Sequence, residues 1–136
     1  YFKSLQYKII IITNQSGISR QLYTEKDYQT LTNWMIGKFN ENYINILDVL
    51  HCPHGPDSKC SCRKPKSGMF LDAQIKYNID MKNSWMIGDS EVDITAANNA
   101  GISETILVKS GHKIDDKNSN AKYILKSILE SSQIIS

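Results

Sequence analysis

The sequence predicts an α/β domain in which a parallel sheet is covered by helices on both faces. Two observations carry this reading. Short apolar or β-branched runs alternate with stretches whose apolar residues recur at helical spacing, the pattern of βαβ units. The first run, Lys8-Ile-Ile-Ile-Ile12, shows no apolar/polar alternation, which suits a strand buried on both faces. Right-handed crossovers would join such units into a three-layer, Rossmann-like sheet.

Taken in order, Lys8–Ile12 is the first strand and ends in Thr13-Asn-Gln-Ser-Gly17. Thr24-Glu-Lys-Asp27 has the form of a capping box, and Tyr28, Leu31, Met35 and Phe39 follow as the expected inner face of a helix. Ile46–Leu50 is the second strand. Ser67 is placed to cap a helix running through Tyr77, with Phe70, Ala73 and Tyr77 facing inward. Ser84–Ile87 is a strand running into Gly88-Asp89. Glu91–Ala100 is a helix stopped by Gly101 as its C′ residue. Thr105–Val108 and Tyr123–Leu125 complete the strands, and a terminal helix is expected from Ser127. The polar stretch 110–120 is the expected mobile loop.

With 136 residues the chain can bury a core, and 40% hydrophobic with 22% charged residues is ordinary for a globular domain. A net charge of +2 makes no case for a nucleic-acid or membrane surface. No apolar run reaches the length of a membrane span, and no signal peptide is visible, so the expected address is the cytoplasm and the expected state a monomer.

All three cysteines lie in Cys52-Pro-His-Gly-Pro-Asp-Ser-Lys-Cys60-Ser-Cys62, which runs into Arg63-Lys64-Pro65. Thiolates and imidazole are the ligands zinc prefers, and four of them close a tetrahedral structural site. The residues between them offer no apolar side chain to bury, so a metal is the expected clamp. The odd cysteine count argues against a set of disulfides. Cys52, His54, Cys60 and Cys62 are the expected zinc ligands. His51 is the competing imidazole, disfavoured because a residue directly beside Cys52 is a less common chelate partner.

Ligands of open parallel sheets bind outside the carboxyl ends of the strands. Three polar clusters fall at such ends: Thr13–Ser16, Cys52–Lys64 and Asp89–Asp93. Each has a plainer reading, turn chemistry at Thr13-Asn14 or a helix cap at Asp89. Together they favour a site.

Thr-Asn-Gln-Ser-Gly-Ile at 13–18, Cys-x-Cys-Arg-Lys-Pro at 60–65 and Ile-Gly-Asp-x-x-x-Asp at 87–93 resemble motifs of the haloacid dehalogenase superfamily of phosphatases. The similarity is greatest to its zinc-containing D-glycero-D-manno-heptose-1,7-bisphosphate 7-phosphatases, and it extends to Val-Lys-Ser-Gly at 108–111. The resemblance implies a magnesium-dependent phosphatase that acts through a phosphoaspartyl intermediate on a small phosphorylated sugar in lipopolysaccharide core synthesis. Thr13 is then expected to offer its hydroxyl to the phosphoryl group, and Asn14, Gln15 and Ser16 their backbone N–H groups. Lys64 is expected to stand as a point charge on that group, essential for activity but not for folding. Arg63 and Arg20 are expected on the leaving portion, with Ser90 beside it. Asp89 is the expected magnesium ligand. Asp93 is expected to cap or orient rather than ligate.

The sequence also departs from the family. The attacking aspartate belongs to an Asp-x-Asp pair on the family's first strand, and no such pair occurs among these residues. The expectation is therefore one phosphatase domain over 1–136 that lacks a strand ahead of Tyr1. Ser90 stands where the heptose enzymes commonly have a substrate-touching lysine, and Gln21 where a glycine is usual. Histidinol-phosphate phosphatase and a non-catalytic zinc-stabilised module are the alternatives.

Overall fold

The computed structural model describes residues 1–136, in two compact units, 1–63 and 64–136. Every strand pairing is parallel and helices flank the strands, a Rossmann-like α/β arrangement. The strands form a pair and a triplet rather than the single sheet expected from the sequence.

The first unit is one βαβ: β1 (Ile9–Asn14), α1 (Glu25–Glu41) and β2 (Ile46–Cys52). After a register slip at Ile9/Ile10, Ile10 lies opposite Asp48 and Asn14 opposite Cys52. Both strands therefore finish side by side, and the Gln15 N–H continues the pairing to the Cys52 carbonyl at 2.7 Å. The capping box that starts α1 is present. The Thr24 hydroxyl accepts from Asp27 N–H at 3.1 Å, and the Asp27 carboxylate accepts from Thr24 N–H at 2.9 Å. Such a cap stabilises a helix by roughly 1 kcal/mol.

Two expectations for this unit are corrected. Leu31 is 64% exposed, and Thr32, at 7%, takes the buried place beside Tyr28. The inward line runs through 28, 32, 35 and 39, still helical spacing but rotated from the expected one. Leu31 and Trp34 carry apolar side chains on the other flank, so the pattern alone left the rotation open. Also, β1 is half-buried along its whole length rather than buried on both faces, because its sheet holds only β1 and β2.

The second unit contains α2 (Gly68–Tyr77), a 3₁₀ turn at Met81–Asn83, β3 (Trp85–Gly88), α3 (Glu91–Asn99), β4 (Glu104–Val108), β5 (Tyr123–Leu125) and a 3₁₀ segment at Ile128–Gln133. The strand order is β3-β4-β5. Here lies most of the core. Met69, Phe70 and Ala73 of α2, Ile94, Ala96 and Ala97 of α3, and Ile106, Leu107 and Val108 of β4 are all buried. Gly101 sits at C′ of α3 with φ +93, where a side chain would be strained. Ser67 precedes α2 but makes no side-chain cap bond. The terminal helix from Ser127 forms as 3₁₀. The Ser131 and Ser132 hydroxyls bond back three residues, to the Ile128 and Leu129 carbonyls, which favours the tighter turn. The loop expected to be mobile is tethered through Ser119 and Asn120, whose hydroxyl and N–H donate to Glu91 at 2.8 Å each.

No helix is long and apolar enough to cross a membrane.

Candidate active site

At the end of β1 the chain turns through 15–22 as a hydrogen-bonded loop. Arg20 N–H returns to the Ser16 carbonyl at 3.0 Å and Leu22 N–H to Gly17 at 2.9 Å. Gln15 ties the loop down with its side chain. Its amide donates to the Thr13 hydroxyl at 3.0 Å, and its carbonyl accepts from the Tyr23 hydroxyl at 2.5 Å. The Tyr23 ring lies 2.2 Å from where a Cβ on Gly17 would be, so any other residue there would displace that ring. Gln21, the departure from glycine, has φ +59, the left-handed region that favours glycine. Thr13, Asn14, Gln15 and Ser16 are half-buried at the strand end, and Arg20 is exposed.

The metal loop follows β2 in the same unit. The Sγ atoms of Cys52, Cys60 and Cys62 and one ring nitrogen of His54 all lie within 4.8 Å of one another. His54 Nδ1 is 3.3 Å from both Cys52 and Cys62 Sγ, Cys52 and Cys60 are 3.8 Å apart, and Cys52 and Cys62 close to 2.8 Å. Zn–S bonds of ~2.3 Å set tetrahedral sulfur–sulfur edges of roughly 3.8 Å. The Cys52–Cys60 separation has that length and the Cys52–Cys62 separation is shorter, so it is the donor set, three thiols and an imidazole within 4.8 Å, that suits zinc. There is no disulfide. Burial opposes ionisation of Cys60, but hydrogen bonds from Arg63 N–H and Ser58 outweigh it and hold that thiol down, to about 6. Burial first, then the adjoining sulfurs, push Cys62 up to about 12. His51 is turned elsewhere: Nε2 lies 2.6 Å from Glu25 and the ring packs on Tyr28.

The loop also fixes its neighbours. The Arg63 guanidinium donates to the His54 carbonyl at 3.2 Å, and Ser19 N–H donates to the Pro53 carbonyl at 3.3 Å. The two arginine-bearing loops are thus fastened to the metal loop's backbone.

In the second unit, Lys64, Asp89, Ser90 and Asp93 come together at the end of β3. Lys64 and Asp93 are buried, 8% and 6% exposed, with Nζ 2.6 Å from Oδ1. The other Asp93 oxygen accepts from Asp89 N–H and Ser90 N–H, both at 3.2 Å. One carboxylate thus caps α3, sets the backbone at Asp89 and neutralises Lys64. A Cβ on Gly88 would stand 2.5 Å from that of Asp93, so the glycine is what lets the carboxylate approach. Lys64 does not stand alone as expected but is engaged with Asp93. The half-exposed Asp89 carboxylate points outward, with His112 Nδ1 3.1 Å from Oδ2. A Cβ on Gly111 would fall within 1.9 Å of the same oxygen, so the backbone at 111 lies against it.

Sequence reasoning missed His112. Val-Lys-Ser-Gly at 108–111 was the available signal, but nothing in the spacing from Asp89 indicates that the loop after β4 returns to β3.

The HAD-hydrolase-like family matches residues 61–131. The chain is 47% identical to D-glycero-alpha-D-manno-heptose-1,7-bisphosphate 7-phosphatase of Photorhabdus laumondii, over 88% of this chain and 69% of that one. It is 39% identical to the D-glycero-beta-D-manno-heptose-1,7-bisphosphate 7-phosphatase of Haemophilus ducreyi, over 91% and 72%. Among solved structures, it is similar to D,D-heptose 1,7-bisphosphate phosphatase from B. bronchiseptica complexed with magnesium and phosphate. The TM-score is 0.75 and the identity 31%, over 79% of this chain and 60% of that one. The chain thus spans 60% of that structure's length.

Proposed function

This chain belongs to the HAD-like hydrolases as a close relative of the heptose-1,7-bisphosphate 7-phosphatases, and on that premise we propose that it is a magnesium-dependent phosphatase that removes the 7-phosphate of D-glycero-D-manno-heptose 1,7-bisphosphate through a phosphoaspartyl intermediate. The observation that carries the proposal is the corner at the end of β3. Asp93, locked by Lys64, fixes the backbone of Asp89 through its own N–H, while the Asp89 side chain stays half-exposed.

Phosphoryl transfer is mainly a matter of placing charge around an anion. Asp89 would hold magnesium, which requires only a carboxylate or two beside water and phosphate oxygens. When bound, that ion supplies positive charge to the phosphoryl oxygens. Lys64 contributes a second positive charge, and Asp93 keeps its ammonium in place. In the first unit, the Thr13 hydroxyl and the N–H groups of Asn14 to Ser16 are donors suited to a phosphoryl group. Arg63 and Arg20 of the first unit are the charges proposed for the leaving portion, and Ser90 is the substrate contact proposed in the second unit. Cys52, His54, Cys60 and Cys62 bind a structural zinc that keeps the Arg63 loop folded. The Asp-x-Asp pair that carries the attacking aspartate in the family has no counterpart among residues 1–136.

The test is phosphate release by the full-length natural protein from both anomers of the bisphosphate and from histidinol phosphate. Heptose bisphosphate should give the higher kcat/KM, and Asp89→Asn should abolish magnesium-dependent turnover. A clear preference for histidinol phosphate would sink the substrate. Unchanged turnover in Asp89→Asn would sink the mechanism.

A further inference from the structure

A cavity of about 320 Å³ opens beside Asp89, lined by Asp89, Ser90, Leu107 and the loop residues His112, Lys113, Asp115 and Asn118, among others. Its acidic groups are already committed. Glu91, also in the lining, accepts from Ser119 and Asn120. Asp115 accepts from Lys117 N–H at 3.1 Å and from the Asn118 amide. The Asn118 amide, then Lys117 N–H, hold the Asp115 carboxyl below its ordinary range. His112 is turned onto Asp89. Outside the lining, Lys109 pairs with Asp116 and Lys64 with Asp93. Lys113 differs. It is the lysine in the lining, it is exposed, and no carboxylate pairs with it.

We propose that Lys113 is a specificity-determining residue that holds the phosphate not being transferred. The inference rests on the function proposed above and adds the residue that selects a bisphosphate. With Asp89 assigned to magnesium and Glu91 and Asp115 each hydrogen-bonded within the loop, Lys113 is the lysine of the lining left to meet an anion. Position 90, on the same lining, carries a serine where the resemblance leads one to expect a lysine; Ser90 can supply a hydrogen bond but no charge.

The test compares the bisphosphate with p-nitrophenyl phosphate, which has no second phosphate, in the full-length enzyme. Lys113→Ala should lower kcat/KM on the bisphosphate by roughly tenfold, the scale of one charge-assisted contact, mainly through KM. It should leave p-nitrophenyl phosphate hydrolysis within about twofold, since uniform damage would affect both substrates alike. Lys113→Arg should retain selectivity, and adding Ser90→Lys to Lys113→Ala should restore part of it. An unchanged ratio of the two kcat/KM values in Lys113→Ala overturns this assignment alone. Failure of the unsubstituted enzyme to hydrolyse the bisphosphate overturns the function and this inference with it.

Discussion

In the loop 52–62, three sulfurs and an imidazole face one another with no opposite charge among them. At the end of β3, Lys64 and Asp93 face each other with opposite charges, and the second carboxylate oxygen is filled by two backbone N–H groups. Both are ionisable clusters at strand ends. The corner is closed by the chain itself, and it lies in the unit that holds most of the core. The loop follows a half-buried strand pair, and its donor set is the kind that a cation would draw together. Internal pairing orders one cluster, and in the function proposed above a cation orders the other.

The sharpest way to break this contrast is Lys64→Ala. It strands a buried carboxylate, and losing one partner of a buried pair destabilises by roughly 3–5 kcal/mol. This prediction runs against the sequence-based expectation that Lys64 is dispensable for folding, and the Lys64–Asp93 pair is the reason. Urea denaturation should show the loss, and Lys64→Ala with Asp93→Asn should recover part of it, because the amide needs no counter-charge. If the double variant is no better than the single, the pair is not what closes the corner.

Next in size is the metal. Protein purified without added zinc should contain one zinc per chain, and a chelator should lower the melting temperature. At free zinc a hundredfold above Kd the stabilisation is about 2.7 kcal/mol. Cys60→Ser should lower both metal content and stability, while leaving the Lys64–Asp93 coupling unchanged. A variant that keeps its full metal content would remove Cys60 from the ligand set.

Gln21→Gly sharpens the comparison from the loop side. Relieving a left-handed φ in the loop that Ser19 fastens to the metal loop should raise stability by about 1 kcal/mol. A loss would show that the Gln21 side chain makes a contact worth more than the strain.

The smallest effect is at the start of α1. The Thr24 N–H first, then its hydroxyl, hold the Asp27 carboxyl below its ordinary range. A carboxyl depressed in the folded state stabilises above its unfolded pKa, and that contribution is lost as pH falls through the folded value. Asp27→Asn should therefore flatten the stability profile below about pH 4 and leave the relative slope near neutrality unchanged. An unaltered acid limb would assign that slope to other carboxylates.

Local chemistry was legible in the sequence because it depends on neighbours a few residues apart. The capping box at Thr24, the stop at Gly101, the strand cores and the Cys/His spacing all follow from residues within a turn or a loop of one another. The chain order of strands and helices was enough for a parallel α/β fold. The rotation of α1 that buries Thr32 and exposes Leu31 was not readable, since two adjacent stripes of the helix are apolar and only the packed sheet selects one. The half-burial of β1 likewise depends on what lies beside it, which an all-isoleucine run does not encode. The partner of Lys64, 29 positions away in the sequence numbering at Asp93, and the return of His112 to Asp89 were decided by tertiary structure alone. Contacts between strand ends depend on how strands are ordered in a sheet, and no local pattern carries that distance.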